Sequence, residues 1–137
     1  MDIKICRNID ECEALWKLFS PNDRLFDIWD YRACFFDKRQ HETHCIVGYN
    51  NGEVEGFVPL VFVKSKDQYN YFGDWFTNER NSFYIKDKTK LPQFLEKCPD
   101  NTFIDGIDPT EGRYYNFLDD EFTFYLDLSK FNYSFKE

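Results

Sequence analysis

The chain has 137 residues, of which 42% are hydrophobic and 31% charged, which is enough for one soluble globular domain with an ordinary core. Its net charge of -8, from 25 acidic and 17 basic residues, repels nucleic acid and anionic lipid, so neither is an expected partner. The chain has no long apolar run and no charged leader, so we expect neither a membrane span nor secretion. Five cysteines without a framework spacing indicate reduced thiols in a cytoplasmic protein.

The first part of the chain predicts a strand followed by two helices. Residues 1–7 carry alternating isoleucines, which is typical of a strand. An N-cap at Asn8 or Asp10 begins a helix with apolar residues at helical spacing, and Pro21 ends it. Residues 25–38 have a second apolar stripe of helical period and predict a second amphipathic helix.

The middle of the chain changes to the period of a sheet. Cys45, Val47 and Tyr49 alternate with Ile46 and Gly48, and the Asn-Gly pair at 51–52 is a strong hairpin signal because both residues tolerate positive φ. The partner strand covers residues 53–65, in which Pro59 marks a bulge or a sheet irregularity. Residues 68–72 make a third strand, so the pattern predicts an antiparallel meander.

The remainder predicts a brief apolar piece at residues 82–85, a short helix at 91–98 and two further strands at 102–107 and 122–128. No internal repeat, low-complexity tract or linker interrupts this order. The expected fold is therefore a single α+β domain over residues 1–137, with a central sheet, mixed but rich in antiparallel strands, flanked by helices.

Four phrases of the sequence resemble the N-terminal half of double-GNAT proteins, the Fem-like peptidoglycan-bridge aminoacyltransferases and their acetyltransferase relatives. These phrases are SPNDRLFDIWDYRACFF, IVGYNNGEVEGFVPLVF, YFGDWFTNERNSFYIKDK and FTFYLDLSKFNYSFKE. The resemblance is distributed over residues 15–137 and not concentrated in one catalytic signature. It implies a GNAT fold, the acyl-CoA N-acyltransferase fold, and the N-terminal half of a two-domain architecture, with a second GNAT domain or another copy of the chain as partner.

In that family, the pyrophosphate of coenzyme A lies on backbone N–H groups of a loop with two or three small residues. The corresponding loop here has Gly73 alone, followed by two carboxylates and two bulky rings before Arg80. We therefore expect no firmly bound cofactor, although acetyl-CoA or another acyl donor is possible in the family. The candidate cofactor-binding cations are Arg80, Lys86 and Lys88, which with Lys90 are otherwise a solvated charged turn.

Acyl transfer to an amine needs a base for the ammonium proton and a proton donor for the leaving group. Position relative to the family pattern makes Asp105, Asp108, Glu79 and Tyr114 the catalytic candidates, with Asp108 alternatively starting a turn. Rings with polar tips suit a sugar or peptide acceptor. The predicted acceptor-binding rings are Trp29, Tyr71, Trp75 and Phe76, with Phe26 beside them; for Phe26 and Trp29 a core position is the alternative.

Metal binding and thiol catalysis are weaker interpretations. Residues 41–45 contain two histidines and a cysteine, which zinc prefers, but no second cluster completes a four-ligand site, so we predict none. His41 is interpreted instead as a cation at a helix C-terminus. Cys34 and Cys45 lack a nucleophile motif and are interpreted as small buried thiols.

Two functions from different classes follow. The first is the acceptor-side or structural half of an N-acyltransferase that transfers an acetyl or aminoacyl group to a small-molecule or peptide amine, with the activity of this chain alone in doubt. The second is a non-catalytic protein-binding module that acts alone or as a homo-oligomer, which the 20% aromatic content favours. A stand-alone acetyltransferase with an atypical donor loop is a third, weaker alternative.

Overall fold

A computed structural model describes residues 1–74 and 80–115 of the chain. The described part is an α+β structure built on a five-stranded antiparallel sheet. Its strands are β1 Asp2–Cys6, β2 His41–Asn50, β3 Glu53–Val63, β4 Gln68–Tyr71 and β5 Tyr84–Ile85. Its helices are α1 Ile9–Phe19, α2 Trp29–Ala33 and α3 Leu91–Leu95, with 3-10 turns at Leu25–Asp27, Lys64–Lys66, Lys88–Lys90 and Pro109–Arg113.

The sheet follows the order β1-β2-β3-β4, and β5 pairs with the same edge of β3 as β4 does. The predicted hairpin is confirmed, since Asn51 and Gly52 both have positive φ, of 53° and 82°. The partner strand of that hairpin, predicted over residues 53–65, ends at Val63 because residues 64–66 form a 3-10 turn.

Pro59 lies in the gap between the two segments of β3 that pair with β4 and with β5. Its carbonyl accepts from the N–H of Phe72 at 2.9 Å. The N–H and the carbonyl of a strand residue point to the same side, so the N–H that proline lacks would point away from β2, and no hydrogen bond with β2 is lost. The bulge itself lies elsewhere, where Gly48 pairs with Gly56 but Tyr49 pairs with Val54. The predicted irregularity is therefore a break in the neighbouring strand.

Helix α1 confirms the first predicted helix, with the Asn8 side chain accepting from the Glu11 N–H at 3.0 Å as its N-cap. The second prediction was wrong in extent, because residues 25–38 hold only a 3-10 turn and the five-residue α2. Competing hydrogen bonds explain the break. The carboxylate of Asp27 accepts from the backbone N–H of Arg24, and the carbonyl of Asp27 accepts from side chains of Trp16 and Ser20.

The predicted strand at 102–107 was also wrong. Within that segment the chain makes only two isolated parallel bridges, Tyr69 with Thr102 and Asn81 with Ile107. Gly106 lies between them with a φ of 61°, which is incompatible with a continuous strand. The brief piece at 82–85 shortens to β5, and the strand predicted at 122–128 lies outside the described residues.

Helices cover both faces of the sheet. One hydrophobic cluster lies between the sheet and α1 and α2, with Trp16 at its centre, and the other lies beneath α3 around Phe94. Alternation along β2 and β3 supplies both clusters, since Val47 and Phe57 face the first while Ile46 and Val58 face the second. Within residues 1–74 and 80–115, no helix combines the length and apolar character needed to cross a membrane.

Candidate functional site

A groove of about 510 Å³ lies where β3 and β4 meet two loop segments. Val61 and Val63 of β3 contribute to its floor. One wall is the connection between α2 and β2, residues 35–41, and the other is formed by residues 73–74 together with residues 103 and 105. Its size is that of a small-molecule or short-peptide site.

Aromatic rings form much of the groove. Phe35 and Phe36 line one wall, and Phe103, whose surface is 51% exposed, lines the other. Phe36 lies 5.8 Å from the ring of Phe72, which in turn stacks on Trp29 at 4.8 Å with an interplanar angle of 6°. The Phe36 ring therefore rests on a buried aromatic layer that fixes its position.

The groove is also acidic. Asp37, Asp74 and Asp105 line it, whereas Lys66 is its one lysine among the described lining residues and no arginine lines it. An excess of carboxylates beside aromatic faces is the arrangement that binds organic cations, through ion pairing and cation–π attraction. The groove can thus hold an ammonium or guanidinium group better than an anion.

Asn81 joins the two chain segments that carry Asp74 and Asp105 at the acidic end of the groove. Its side-chain nitrogen donates to the carboxylate of Asp74 at 3.0 Å and to the carbonyl of Asp105 at 2.6 Å. Its backbone N–H donates to Gly106 at 2.9 Å, and the side chain is fully buried. Asn81 therefore positions both acidic residues from beneath the groove surface.

His41 lies in the groove wall as the first residue of β2, so the expectation that it is a cation at a helix C-terminus was wrong. Its Nδ1 accepts from the backbone N–H of Asp37 at 2.9 Å, which places the proton of the neutral ring on Nε2. Burial lowers the pKa of His41 even though Asp37 opposes the change. His41 is consequently a neutral hydrogen-bond donor near pH 7.

Arg32 of α2 is a buried cation beneath this region. Its guanidinium donates to the carbonyl oxygens of Phe26 at 2.8 Å, Phe72 at 3.4 Å and Arg80 at 3.2 Å. It also lies 5.0 Å from the ring centre of Tyr71. Since Phe72 and Arg80 are on either side of residues 73–79, Arg32 fixes both ends of that segment.

The backbone at Gly73 does not fit the pyrophosphate of coenzyme A. Its φ is 70°, and a Cβ there would lie 2.6 Å from the carbonyl oxygen of Arg32. The space that the missing side chain of Gly73 leaves open is therefore filled by Arg32. Asp74 adjoins this glycine and would repel a phosphate.

Of the four catalytic candidates, Asp105 lines the groove. Asp108 caps the 3-10 turn at Pro109–Arg113 and lies 3.8 Å from Arg24. Burial raises the pKa of Asp108, but hydrogen bonds from Thr110 and the charge of Arg24 outweigh burial, so the pKa is lowered overall. Tyr114 packs against the cluster beneath α3, and Glu79 lies outside the described residues.

Two of the cofactor-binding candidates, Lys86 and Lys88, line a second cleft of about 370 Å³, next to Arg24. Carboxylates already neutralise part of this charge, because Lys88 contacts Glu111 at 2.6 Å and Arg24 contacts Asp27 at 3.4 Å. These lysines follow β5, which ends at Ile85, and Lys88 and Lys90 lie in a 3-10 turn, in agreement with the alternative of a charged turn. The third candidate, Arg80, is not among the residues that line either cavity.

The predicted acceptor-binding rings divide between buried positions and positions outside the described residues. Trp29 is 5% exposed and lies in the core. Tyr71 is among the residues that line the groove, but its side chain is fully buried and its hydroxyl donates to the carbonyl of Ser82 at 2.6 Å. Phe26 packs edge-on against Tyr31, and Trp75 and Phe76 lie outside the described residues.

Besides Tyr71, the groove is lined by rings that sequence reasoning missed, including Phe35, Phe36 and Phe103. A signal was present in the adjacent pair Phe35 and Phe36, because one apolar stripe of a helix cannot bury both. Within residues 1–74 and 80–115, no group of three or more metal-ligating side chains is close enough to hold a metal ion.

No protein-family model matches the chain, and no curated protein and no solved structure matches it.

Proposed function

We propose that this chain is the acceptor-side domain of a GNAT-like N-acyltransferase related to the Fem-like enzymes, and that its groove binds the amine that receives the acyl group. The observation that carries the proposal is the pairing of the exposed Phe103 ring and two partly exposed rings with three carboxylates in one groove. A primary amine reaches such a site as its ammonium form, which carboxylates and ring faces both attract.

Two further features support the family part of the proposal. The described element order, a strand, two helices and an antiparallel meander, agrees with the order that the sequence resemblance implies. The resemblance is carried by the four phrases quoted above, two of which include the hairpin between β2 and β3 and the Gly73 turn.

In this proposal the acyl donor is bound outside the groove, by a second GNAT-like domain. This choice is supported by the loop after β4, in which Gly73 is the one glycine before Arg80 and the space beside its Cα is filled by Arg32. The role of this chain is then to orient the acceptor, with Asp105 and Asp74 holding its nitrogen at the acidic end of the groove.

The test is a calorimetric titration of the full chain with Nα-acetyl-lysine amide at low ionic strength. A matched titration uses the analogue whose side-chain amine is acetylated, which keeps the length and removes the charge. We expect the charged ligand to bind at least fivefold more tightly than the neutral one, since a single partly exposed ion pair contributes about 1 kcal/mol.

Variants connect the binding to the groove. Asp105→Asn and Asp74→Asn each should weaken the charged ligand about fivefold and leave the neutral ligand unchanged. Asp23→Asn, which removes the same charge from an exposed residue outside the groove, is the control and should have no effect. Equal affinity for both ligands, or equal loss in the control, would contradict the proposal.

Acetyl-CoA provides the test of the donor side. Millimolar acetyl-CoA should leave the melting temperature of the chain unchanged, because no complete donor site is proposed here. A stabilisation of several degrees would instead assign donor binding to this chain and support a stand-alone acetyltransferase.

A second function, a protein-binding module, is favoured by exposed apolar side chains between the end of α1 and α2. Leu18 is 71% exposed, Leu25 54% and Ile28 41%. Large apolar groups with this exposure mark docking surfaces when they are contiguous. Light scattering of the wild type and of Leu18→Glu distinguishes the cases: a concentration-dependent dimer that the substitution abolishes supports the module, and a monomer at all concentrations argues against it.

A further inference from the structure

Two buried thiols approach each other between α1 and β2. The Sγ atoms of Cys12 and Cys45 are 2.7 Å apart, and their residues are 1% and 0% exposed. A disulfide bond is about 2.05 Å long, so the two sulfurs need to close by about 0.7 Å to reach bonding distance. Cys12 is the fourth residue of α1, and Cys45 lies in the middle of β2.

A third thiol borders this pair. Cys6, at the end of β1, is opposite Cys45 in the β1–β2 register, and the Sγ of Cys12 lies 4.0 Å from the Cys6 carbonyl. Cys6 is partly exposed, and its Sγ donates to a carboxylate oxygen of Glu11 at 3.1 Å. The remaining cysteines, Cys34 and Cys98, are not part of this cluster.

We propose that Cys12 and Cys45 are a redox modification site, and that a peroxide oxidant converts them to a disulfide that ties α1 to the centre of the sheet. This inference is independent of the proposed acyl transfer, since neither cysteine lines the groove. The bond would join two residues that are 33 positions apart in the sequence.

The reaction balances with hydrogen peroxide as the oxidant. Cys12 first loses its proton, and its thiolate attacks one oxygen of the peroxide, which breaks the O–O bond and leaves a sulfenic acid on Cys12. The released hydroxide takes up the proton that Cys12 lost and becomes water. The Cys45 sulfur then attacks the sulfenic sulfur, the S–OH bond breaks, and the proton of Cys45 leaves with the hydroxyl group as water. Two thiols are oxidised, and one peroxide is reduced to two waters.

The environment favours Cys12 as the attacking sulfur. Hydrogen bonding from Cys45, joined by Cys6, lowers the pKa of Cys12 although burial opposes this change. By contrast, the hydrogen bond with Cys12 together with burial raises the pKa of Cys45, and burial together with Glu11 raises the pKa of Cys6 to about 12. The thiol that is easiest to ionise in the cluster is therefore the one next to its disulfide partner.

The disulfide would stiffen the layer beneath the groove. Helix α1 also carries Trp16, whose ring lies 5.6 Å from the Arg32 guanidinium and 6.2 Å from the Tyr71 ring. Fixing α1 to β2 therefore restrains the packing partners of two residues that support the groove region. We expect the melting temperature of the oxidised protein to rise by several degrees.

The test is peptide mapping of the folded full chain after treatment with hydrogen peroxide, alkylation of free thiols and digestion with trypsin. Cleavage after lysine and arginine places Cys12 in residues 8–17 and Cys45 in residues 40–64. We expect a linked pair of these two peptides, which separates when dithiothreitol is added. Cys34→Ser should retain the link, and Cys12→Ser and Cys45→Ser should lose both the link and the rise in melting temperature.

Other outcomes overturn the inference. Recovery of both peptides as alkylated thiols, under conditions that oxidise the exposed Cys34, would show that the pair does not react. A link from Cys6 in place of Cys45 as the main product would assign the site to a different pair. Because the wild-type protein alone yields these readouts, a serine variant that failed to fold would not leave the question open.

Discussion

Arg32 is the residue whose replacement should most change the support of the groove. Its guanidinium is fully buried and donates to three backbone carbonyls from three separate parts of the chain. Arg32→Met keeps an unbranched side chain of adaptable shape but removes every donor. The carbonyls of Phe26, Phe72 and Arg80 then lose the charged group that joins them.

The magnitude follows from these contacts. Hydrogen bonds from a charged donor contribute about 1.5–3 kcal/mol each, and the bond to Phe72, at 3.4 Å, is the weakest of the three. Removing the buried charge also recovers a desolvation cost of several kcal/mol, which offsets part of the loss. We expect Arg32→Met to lower the free energy of unfolding by about 2–4 kcal/mol.

Urea denaturation followed by circular dichroism measures this change, with the slope of the transition checked for constancy. Arg39→Met is the matched control, because the Arg39 side chain is 89% exposed and its contact with Asp37 is a surface ion pair. If Arg32→Met were as stable as the wild type within about 0.5 kcal/mol, the three carbonyl contacts would not have the anchoring role assigned to them.

Three further predictions concern groups around the groove. The pKa of His41 is lowered in the folded chain, so the unfolded chain takes up the proton first as the pH falls below about 6.5, and the free energy of unfolding should fall with it. His41→Gln should reduce this dependence of stability on pH, measured by urea denaturation between pH 7 and 5. Gly73→Ala, whose Cβ would lie 2.6 Å from the Arg32 carbonyl oxygen, should cost about 2–4 kcal/mol by chemical denaturation, against about 1 kcal/mol for Gly52→Ala, where nothing lies within 4 Å. Asn81→Ala should cost about 1–3 kcal/mol and should weaken binding of the charged ligand in calorimetry, and an unchanged affinity would separate Asn81 from the acidic end of the groove.

Local signals predicted the parts of the fold that depend on local chemistry. The cap at Asn8 begins α1, and the Asn-Gly pair at 51–52 joins β2 to β3, since both depend on a few adjacent residues. The helix predicted over residues 25–38 failed for the opposite reason. Its backbone is interrupted by hydrogen bonds to the carbonyl of Asp27 from residues on α1 and just after it, which no local pattern announces.

The candidate site was only partly predictable. Asp105 was selected by its position in the family pattern, and Asp74 was noted only as unfavourable for a phosphate. What brings them together is a single buried amide, Asn81, whose partners are 7 and 24 residues away in sequence. The burial of Arg32 was hidden for a similar reason, because its carbonyl partners Phe72 and Arg80 are 40 and 48 residues away. Sequence spacing alone cannot encode such contacts.

The most direct test of the central proposal is a titration of ¹⁵N-labelled full chain with Nα-acetyl-lysine amide, followed by amide chemical shifts. We expect saturable shifts at the acidic end of the groove, at the amides of Asp74, Asp105 and Phe103, and none at Lys86 in the second cleft. Saturable shifts centred on Lys86, or no saturable shift at any groove amide at millimolar ligand, would contradict an amine-binding role for the groove.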